Sequence, residues 1–307
     1  MQSTPNRPLD GKVGIVTGGS RGKYSIGAAI AENLASKGCH LLLIYTSPSS
    51  TTRVHELCQK LETTHFVHCV AQQADLRDPI TAVDTILSAA KHHFTAPDTQ
   101  RFQVDILINN AGIAENRLLN DPEKGPIDVE MFNRQYTVNV LAPLLLTQAV
   151  APYLPRDRSG RIVNVSSVSA SLGLASQSVY AGTKGALEAM TRTWARELGD
   201  CATVNSVNPG PVVGDMYWEA GEGFWRRMQG WQDNAPGSNM RVGPGFAGTG
   251  EERLGEEEGR TVREKMGGRR PGFADEVAGV VGMLCTKDGG WCTGSVVCAN
   301  GGLRMSP

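Results

Sequence analysis

The sequence predicts an α/β protein: a single-domain, Rossmann-type doubly wound parallel sheet of about seven strands, with helices on both faces and an extended substrate lid. Three observations predict it. Short, wholly apolar runs alternate with helix-like stretches; glycine-rich or small-residue turns follow the apolar runs; and polar residues suited to chemistry gather at those turns. Strands apolar on both faces belong to a sheet covered on both sides. Right-handed crossovers then bring ligands to the carboxyl ends of the strands.

Taken in order, residues 13–17 form a first strand, and 26–36, with its Ala, Ile and Leu positions, a helix packed on the sheet. Residues 41–45 form a second buried strand, followed by a helix around 53–61. A third strand is expected at 66–70 with a helix at 80–90, and a fourth strand at 106–109 with a long helix from about 129 to 153. Strands at 162–166 and 204–207 flank a helix at about 179–198. A helix near 275–284 and a strand near 295–299 close the chain.

The stretch 216–272 breaks this rhythm, since 13 of its 57 residues are Gly and 3 are Pro. An insertion of that length inside a compact domain is commonly a lid or disordered. An ordered, aromatic-rich start carrying Met216, Trp218, Phe224, Trp225 and Trp231 is expected, then a mobile charged part from about 243 to 268. The organisation expected is therefore one dinucleotide-binding and catalytic domain over 1–307, with 216–272 a lid insertion within it.

Composition narrows the function classes. Of 307 residues, 40% are hydrophobic and 20% charged, and 30 basic against 31 acidic side chains leave a net charge of -1. Such balance argues against nucleic acid or an anionic membrane as the main partner. The first residues lack the apolar stretch of a signal peptide and no run of 18 apolar residues occurs, so a soluble, cytoplasmic protein is expected. The seven cysteines are odd in number and form no CxxC pair, which points to neither a disulfide framework nor a zinc site; no metal is expected.

A dinucleotide site is expected where the first strand ends in Thr17-Gly18-Gly19-Ser20-Arg21-Gly22 and runs through Lys23-Tyr24-Ser25 to Ile26-Gly27. A glycine-rich turn before a helix lets the backbone approach a pyrophosphate seated on the helix N-terminus. The second strand ends in Tyr45-Thr46-Ser47, without the carboxylate that would bind both ribose hydroxyls and repel a 2′-phosphate. Arg21 offers a countercharge, and Thr46 and Ser47 offer hydroxyl donors, which favours NADP(H). Asp75 and Leu76 follow the third strand, where a carboxylate can accept from an adenine amino group; Asn110, Ala111 and Gly112 follow the fourth, offering small residues beside the cofactor.

Tyr180 and Lys184 are four apart on a helix and so share a face. A phenol must shift by about three units, roughly 4 kcal/mol, to exchange protons well near neutrality, and an adjacent ammonium favours its ionised form. Ser167 lies just beyond the fifth strand, thirteen residues before Tyr180; Ser166 is its neighbour and rival.

The ordered motifs TGGSRG…IG, NNAG, NVSS, YAGTK and NPGPV resemble the short-chain dehydrogenase/reductase family, and the resemblance runs from about residue 10 to 303. It implies that Ser167 polarises a substrate carbonyl, that Tyr180 donates the proton as hydride arrives, and that Lys184 binds the nicotinamide ribose and tunes Tyr180. It also implies that Asn139 anchors a water in a proton relay, and that Pro209, Gly210 and Val212 flank the nicotinamide. The activity implied is that of fungal and bacterial NADPH-dependent ketoreductases: reduction of a ketone or aldehyde to an alcohol. The aromatics of 216–231 suggest a bulky apolar or secondary-metabolite substrate, contacted by Met216, Trp218, Phe224 and Trp225. Alternatives are a member diverted to isomerisation, cyclisation or double-bond reduction, or a non-catalytic NADP-binding sensor. A homodimer or homotetramer is implied as well. Three features depart from the family pattern: the added Lys23-Tyr24-Ser25, Gly214 after NPGPV where Thr is common, and the length of 216–272.

Overall fold

The computed structural model describes residues 7–19, 25–238 and 253–305. Its centre is a seven-stranded sheet in the order β3-β2-β1-β4-β7-β8-β9, with all neighbours parallel. The elements are β1 (Val13–Thr17), α1 (Ile26–Ser36), β2 (His40–Tyr45), α2 (Thr51–His65), β3 (Cys69–Gln73), α3 (Pro79–Phe94) and β4 (Ile106–Asn109). There follow a small antiparallel hairpin, β5 (Asn120–Asp121) and β6 (Gly125–Pro126), then α4 (Val129–Tyr136), a π-helical turn (Thr137–Leu141) and α5 (Ala142–Val150). Next come β7 (Gly160–Val165), α6 (Ser169–Leu172), α7 (Ser178–Glu197) and β8 (Ala202–Pro209). The chain then forms α8 (Asp215–Glu219), α9 (Gly221–Asp233), α10 (Glu256–Lys265), α11 (Ala274–Cys285) and β9 (Val296–Ala299).

Alternation along the strands feeds two cores. Ile15, Leu42, Leu107, Ile162 and Val204 face α3, α5 and α7, whereas Val16, Leu41, Leu43, Ile106 and Val207 face α1, α2 and α11. Each large aliphatic side chain removed from water contributes about 1.5–3 kcal/mol, so both faces hold the sheet in register.

Several expectations are corrected. The third strand begins at Cys69 rather than 66, because Phe66 takes a left-handed conformation (φ 55°) as the C-cap of α2 and is 81% exposed. The long helix expected at 129–153 is broken by the π turn around Asn139. The charged, glycine-rich stretch expected to be irregular carries α10, whose Val262 is buried along with the flanking Leu254 and Met266. Residues 239–252 of that stretch lie outside the described residues.

Ser25, from the unexpected three-residue addition, has a structural role: it is the N-cap of α1 and accepts from the Ala28 N–H at 3.5 Å. At the far end, the 216–272 excursion closes on itself. The Val213 N–H donates to the Gly272 carbonyl, and the Gly272 N–H to that of Pro211, each at 2.8 Å. Among the described residues, no helix is long and apolar enough to cross a membrane.

Candidate active site

The carboxyl ends of β1, β4, β7 and β8 open into one cleft of about 690 Å3, running from Ser47 at one end to Gln177 at the other. Its floor is stitched from buried polar groups. Thr17 Oγ1 accepts the N–H of Asn110 and of Ala111, both at 3.0 Å, and donates to the Ile108 carbonyl at 3.2 Å. Asn110 Nδ2 donates to the carbonyls of Thr17 (2.8 Å) and Gly18 (3.1 Å). These bonds lock the glycine turn after β1 to the small-residue turn after β4.

Gly18 has φ 70°, and a Cβ there would lie 2.9 Å from the Ala111 backbone; a Cβ on Gly27 would lie 2.3 Å from the Gly18 carbonyl oxygen. A side chain at Gly18 would push the loop off the turn at Ala111, and one at Gly27 would push the N-terminus of α1 off the loop. The cleft is therefore walled by backbone and small side chains where a dinucleotide must approach closely, and the residues present fit such a group.

Of the residues expected at the cofactor, Gly18, Ile26, Gly27, Thr46, Ser47, Asp75, Leu76, Asn110, Ala111, Gly112, Pro209, Gly210 and Val212 all line this cleft. Ser20, Arg21 and Gly22 lie outside the described residues. Asp75 is paired with Arg77 (2.6 Å), whose guanidinium holds the carboxyl below its usual range. Arg77 and Ser50 line the same end beside Thr46, and neither stood out in the sequence.

At the other end, Ser167, Tyr180 and Lys184 meet. Of the two adjacent serines, Ser167 lines the cleft near Tyr180 and influences its phenol, while its Oγ donates to Ser169 Oγ at 3.1 Å and accepts the Ser169 N–H at 3.2 Å. Ser166 points the other way and donates to Glu188 Oε1 at 2.7 Å. Burial pushes the Tyr180 phenol above its usual pKa, and the Ser167 contact opposes this in part. Lys184 is buried, its Nζ donates to the Val165 carbonyl at 2.8 Å, and it stands 5.7 Å from the Tyr180 ring centre. Burial pulls its ammonium down to about 8, against the pull of Glu188 upward.

Asn139 does not reach the cleft surface. Its Oδ1 accepts the Ile113 N–H (2.9 Å), and its Nδ2 donates to the Ile113 carbonyl (2.8 Å) and to Thr183 Oγ1 (3.1 Å). The side chain thus pins the 111–113 turn to α7 from behind.

The 216–272 segment contributes Tyr217, Phe224 and Met228 to the cleft lining. Phe224 and Met228 are one helical turn apart and share a face of α9. Trp225, one position round, turns away, packs among Tyr217, Val262, Met266 and Phe273, and donates from Nε1 to the Tyr217 carbonyl at 3.0 Å. Trp218 stacks edge-on against Trp225. Neither Trp218 nor Trp225, both expected to contact substrate, is among the cleft-lining residues: Trp225 is buried in this cluster and Trp218 packs against it. Met216 falls on α8, and its side chain lies outside what is described. Facing the lid is a polar wall missed in the sequence: Ser169 Oγ donates to Gln177 Oε1 (2.6 Å), and Gln177 Nε2 to Asn116 Oδ1 (3.1 Å).

A parallel seven-stranded sheet with a dinucleotide crevice and a Ser–Tyr–Lys group at its mouth defines a class, and comparison with known proteins agrees. Residues 12–223 match the short chain dehydrogenase family. The chain is 65% identical over 303 residues to an L-xylulose reductase of Aspergillus niger, covering 98% of this chain and 100% of that one. It is 60% identical to an L-xylo-3-hexulose reductase of Hypocrea jecorina, over 98% and 99% of the two chains. Among solved structures, a blue fluorescent protein from a metagenomic library, in complex with NADPH, superposes with a TM-score of 0.75 at 31% identity, covering 97% of this chain and 100% of that one. The chain belongs to the short-chain dehydrogenase/reductase family. It is an oxidoreductase of the CH–OH/C=O type that reduces a small-molecule carbonyl with a nicotinamide cofactor.

Proposed function

We propose that this protein reduces an open-chain, polyhydroxylated ketone, a pentulose or hexulose, to the corresponding polyol, with NADPH as donor. The observation that carries the reading is that Tyr180, whose phenol burial holds in its protonated form, lines one cleft with Ser167 and Lys184 at the mouth of the dinucleotide crevice. Ser167 holds the carbonyl oxygen, and Tyr180 gives it a proton. Gly18, Asn110, Ala111 and Gly112 would hold the nicotinamide cofactor, which would supply the hydride. Lys184 holds the nicotinamide ribose and steadies the phenolate left behind. Asn139 keeps the turn at Gly112 in place through bonds from both polar atoms of its side chain.

The sugar class is supported by the names of the two fungal relatives and by the Ser169–Gln177–Asn116 wall, which offers amide and hydroxyl groups to a polyol. The expectation of a bulky apolar substrate rested on the aromatics of 216–231, of which Phe224 lines the cleft and Trp218, Trp225 and Trp231 do not, so it loses part of its support. NADPH over NADH is favoured by the uncharged Thr46-Ser47 and by the basic Arg77 beside them. The segment 216–272 acts as the substrate lid. Self-association through the face of α4 and the π turn is supported by exposed Val129, Phe132 and Leu141; light scattering is expected to give two or four times the 32.8 kDa chain mass.

Following NADPH absorbance with L-xylulose, with a 3-hexulose and with a bulky aromatic ketone tests the substrate class. Faster turnover of the sugars, and at least tenfold lower efficiency with NADH, is expected. Turnover of the aromatic ketone alone would overturn it.

A further inference from the structure

Tyr180 and Lys184 are followed on the same face of α7 by a third polar residue one more turn along, Glu188, which is 8% exposed. Its carboxylate lies beneath the catalytic floor. Oε1 accepts from Ser166 Oγ at 2.7 Å and from Asn208 Nδ2 at 3.0 Å, and the same Nδ2 donates to the Ser167 carbonyl at 2.9 Å. One side chain on α7 thus grips the end of β7 and the end of β8 on either side of Ser167.

The chemistry of those contacts is unusual for a carboxylate. Both partners are neutral donors, and a glutamine could accept both bonds equally well. A buried charge is costly unless an opposite charge shares the site. The cation one helical turn away on the same face is Lys184, itself buried, which acts on Glu188 through space rather than in a direct ion pair. The elements packed around the ammonium contribute no other ionisable group among the described residues: β7 offers Val165 and Ser166, β8 offers Asn208, and the π turn offers Asn139. On α7 itself, Tyr180 and Glu188 are the titratable neighbours.

We propose that Glu188 is a positioning residue whose buried negative charge keeps Lys184 as its ammonium, while its two hydrogen bonds fix the strand ends that carry Ser167. The inference rests on the proposed roles of Tyr180 and Lys184. Burial alone works against the ammonium, and Glu188 opposes that loss, so the working range of Lys184 extends to about pH 8. Below that value Lys184 is charged and supports the phenolate; as pH rises through it, the proton is lost and activity falls.

Two substitutions separate charge from hydrogen bonding. Glu188→Gln keeps an acceptor for Ser166 and Asn208 but removes the charge; Ser166→Ala keeps the charge but removes one bond. The measurement is the pH profile of kcat/KM for NADPH-dependent ketose reduction, with circular dichroism and NADPH titration reporting on the fold. The basic limb is expected to move down by about one unit in Glu188→Gln, lowering activity at high pH about tenfold relative to wild type, and to stay in place in Ser166→Ala. A folded Glu188→Gln enzyme with an unmoved limb overturns the proposal. Should that variant not fold, a limb that moves in Ser166→Ala, with the carboxylate intact, overturns it equally, and one that stays supports it. Wild-type enzyme that reduces no ketose at all would instead refute the underlying functional reading, a result distinct from either.

Discussion

The floor of the cleft and the lid above it are built by different means. The floor is the ends of β1, β4, β7 and β8 with the first turns of α7, and its side chains are tied into the two cores that hold the whole sheet. Thr17, Asn109, Asn164 and Thr191 bond to one another or to neighbouring backbone while almost fully buried. The segment above it has a small core formed by Val213, Tyr217, Trp225, Leu254, Val262, Met266 and Phe273, is closed at its base by the pairing of Pro211 and Val213 with Gly272, and touches the main body through a second small cluster of Met228 and Ala235 with Val168 and Leu303. Groups fixed in the main cores cannot move without opening the sheet, whereas a segment with a separate small core can loosen as a unit. The difference teaches where to look for each kinetic effect: chemistry in the floor, substrate selection in the lid.

The largest effect should come from the floor. Lys184→Ala is expected to lower kcat by about 10²–10⁴-fold and to weaken NADPH binding together, because one ammonium serves both the phenol and the ribose. Steady-state kinetics with a fluorescence titration check this; unchanged cofactor affinity would detach Lys184 from the ribose. Next comes Trp225→Ala. Removing a buried indole from a small core costs about 3–5 kcal/mol, and the loss should fall on the lid: faster hydrogen exchange across α8–α10 and a raised KM, with kcat within a few-fold. Equal loss of protection in β1 and β4 would break the division into two regions.

A smaller effect is expected from Phe224→Ala at the cleft surface, where about 1–2 kcal/mol of apolar contact is at stake. KM for ketose should change by about tenfold, with kcat little altered. The smallest is Arg77→Ala. Its pair with Asp75 is exposed to solvent and screened, so it contributes little to the fold. NADPH affinity should drop by about two- to fivefold with no change in melting temperature, and NADH affinity should hold, sharpening the assignment of the 2′-phosphate end.

The sheet was legible because its strands are wholly apolar and punctuated by glycine and asparagine; β1 and β4 fall where the pattern puts them. Most of the cofactor crevice was legible for the same reason, since each strand end announces itself by a change from apolar to small or polar residues. Other features left no mark. A π turn adds a backbone residue without disturbing the apolar pattern, so the break at Asn139 is invisible in sequence. Phe66 reads as a strand residue, yet a left-handed cap needs only a favourable backbone, not a signature side chain. Helix α10 buries little apolar surface in a glutamate-rich setting, which hid it within its composition. Trp225 and Phe224 are neighbours, and which of them faces the cleft depends on the rotation of α9, a matter of tertiary packing. Glu188 could have been found by extending the Tyr180–Lys184 spacing one further turn.

The most direct test of the account is Tyr180→Phe, assayed for NADPH-dependent reduction of L-xylulose alongside NADPH binding. Removing one hydroxyl from the floor should lower kcat by about 10²–10⁴-fold while the dissociation constant for NADPH stays within about twofold. A Tyr180→Phe enzyme that keeps more than about a tenth of wild-type kcat would show that the proton comes from elsewhere, and would contradict the assignment of the chemistry to the floor.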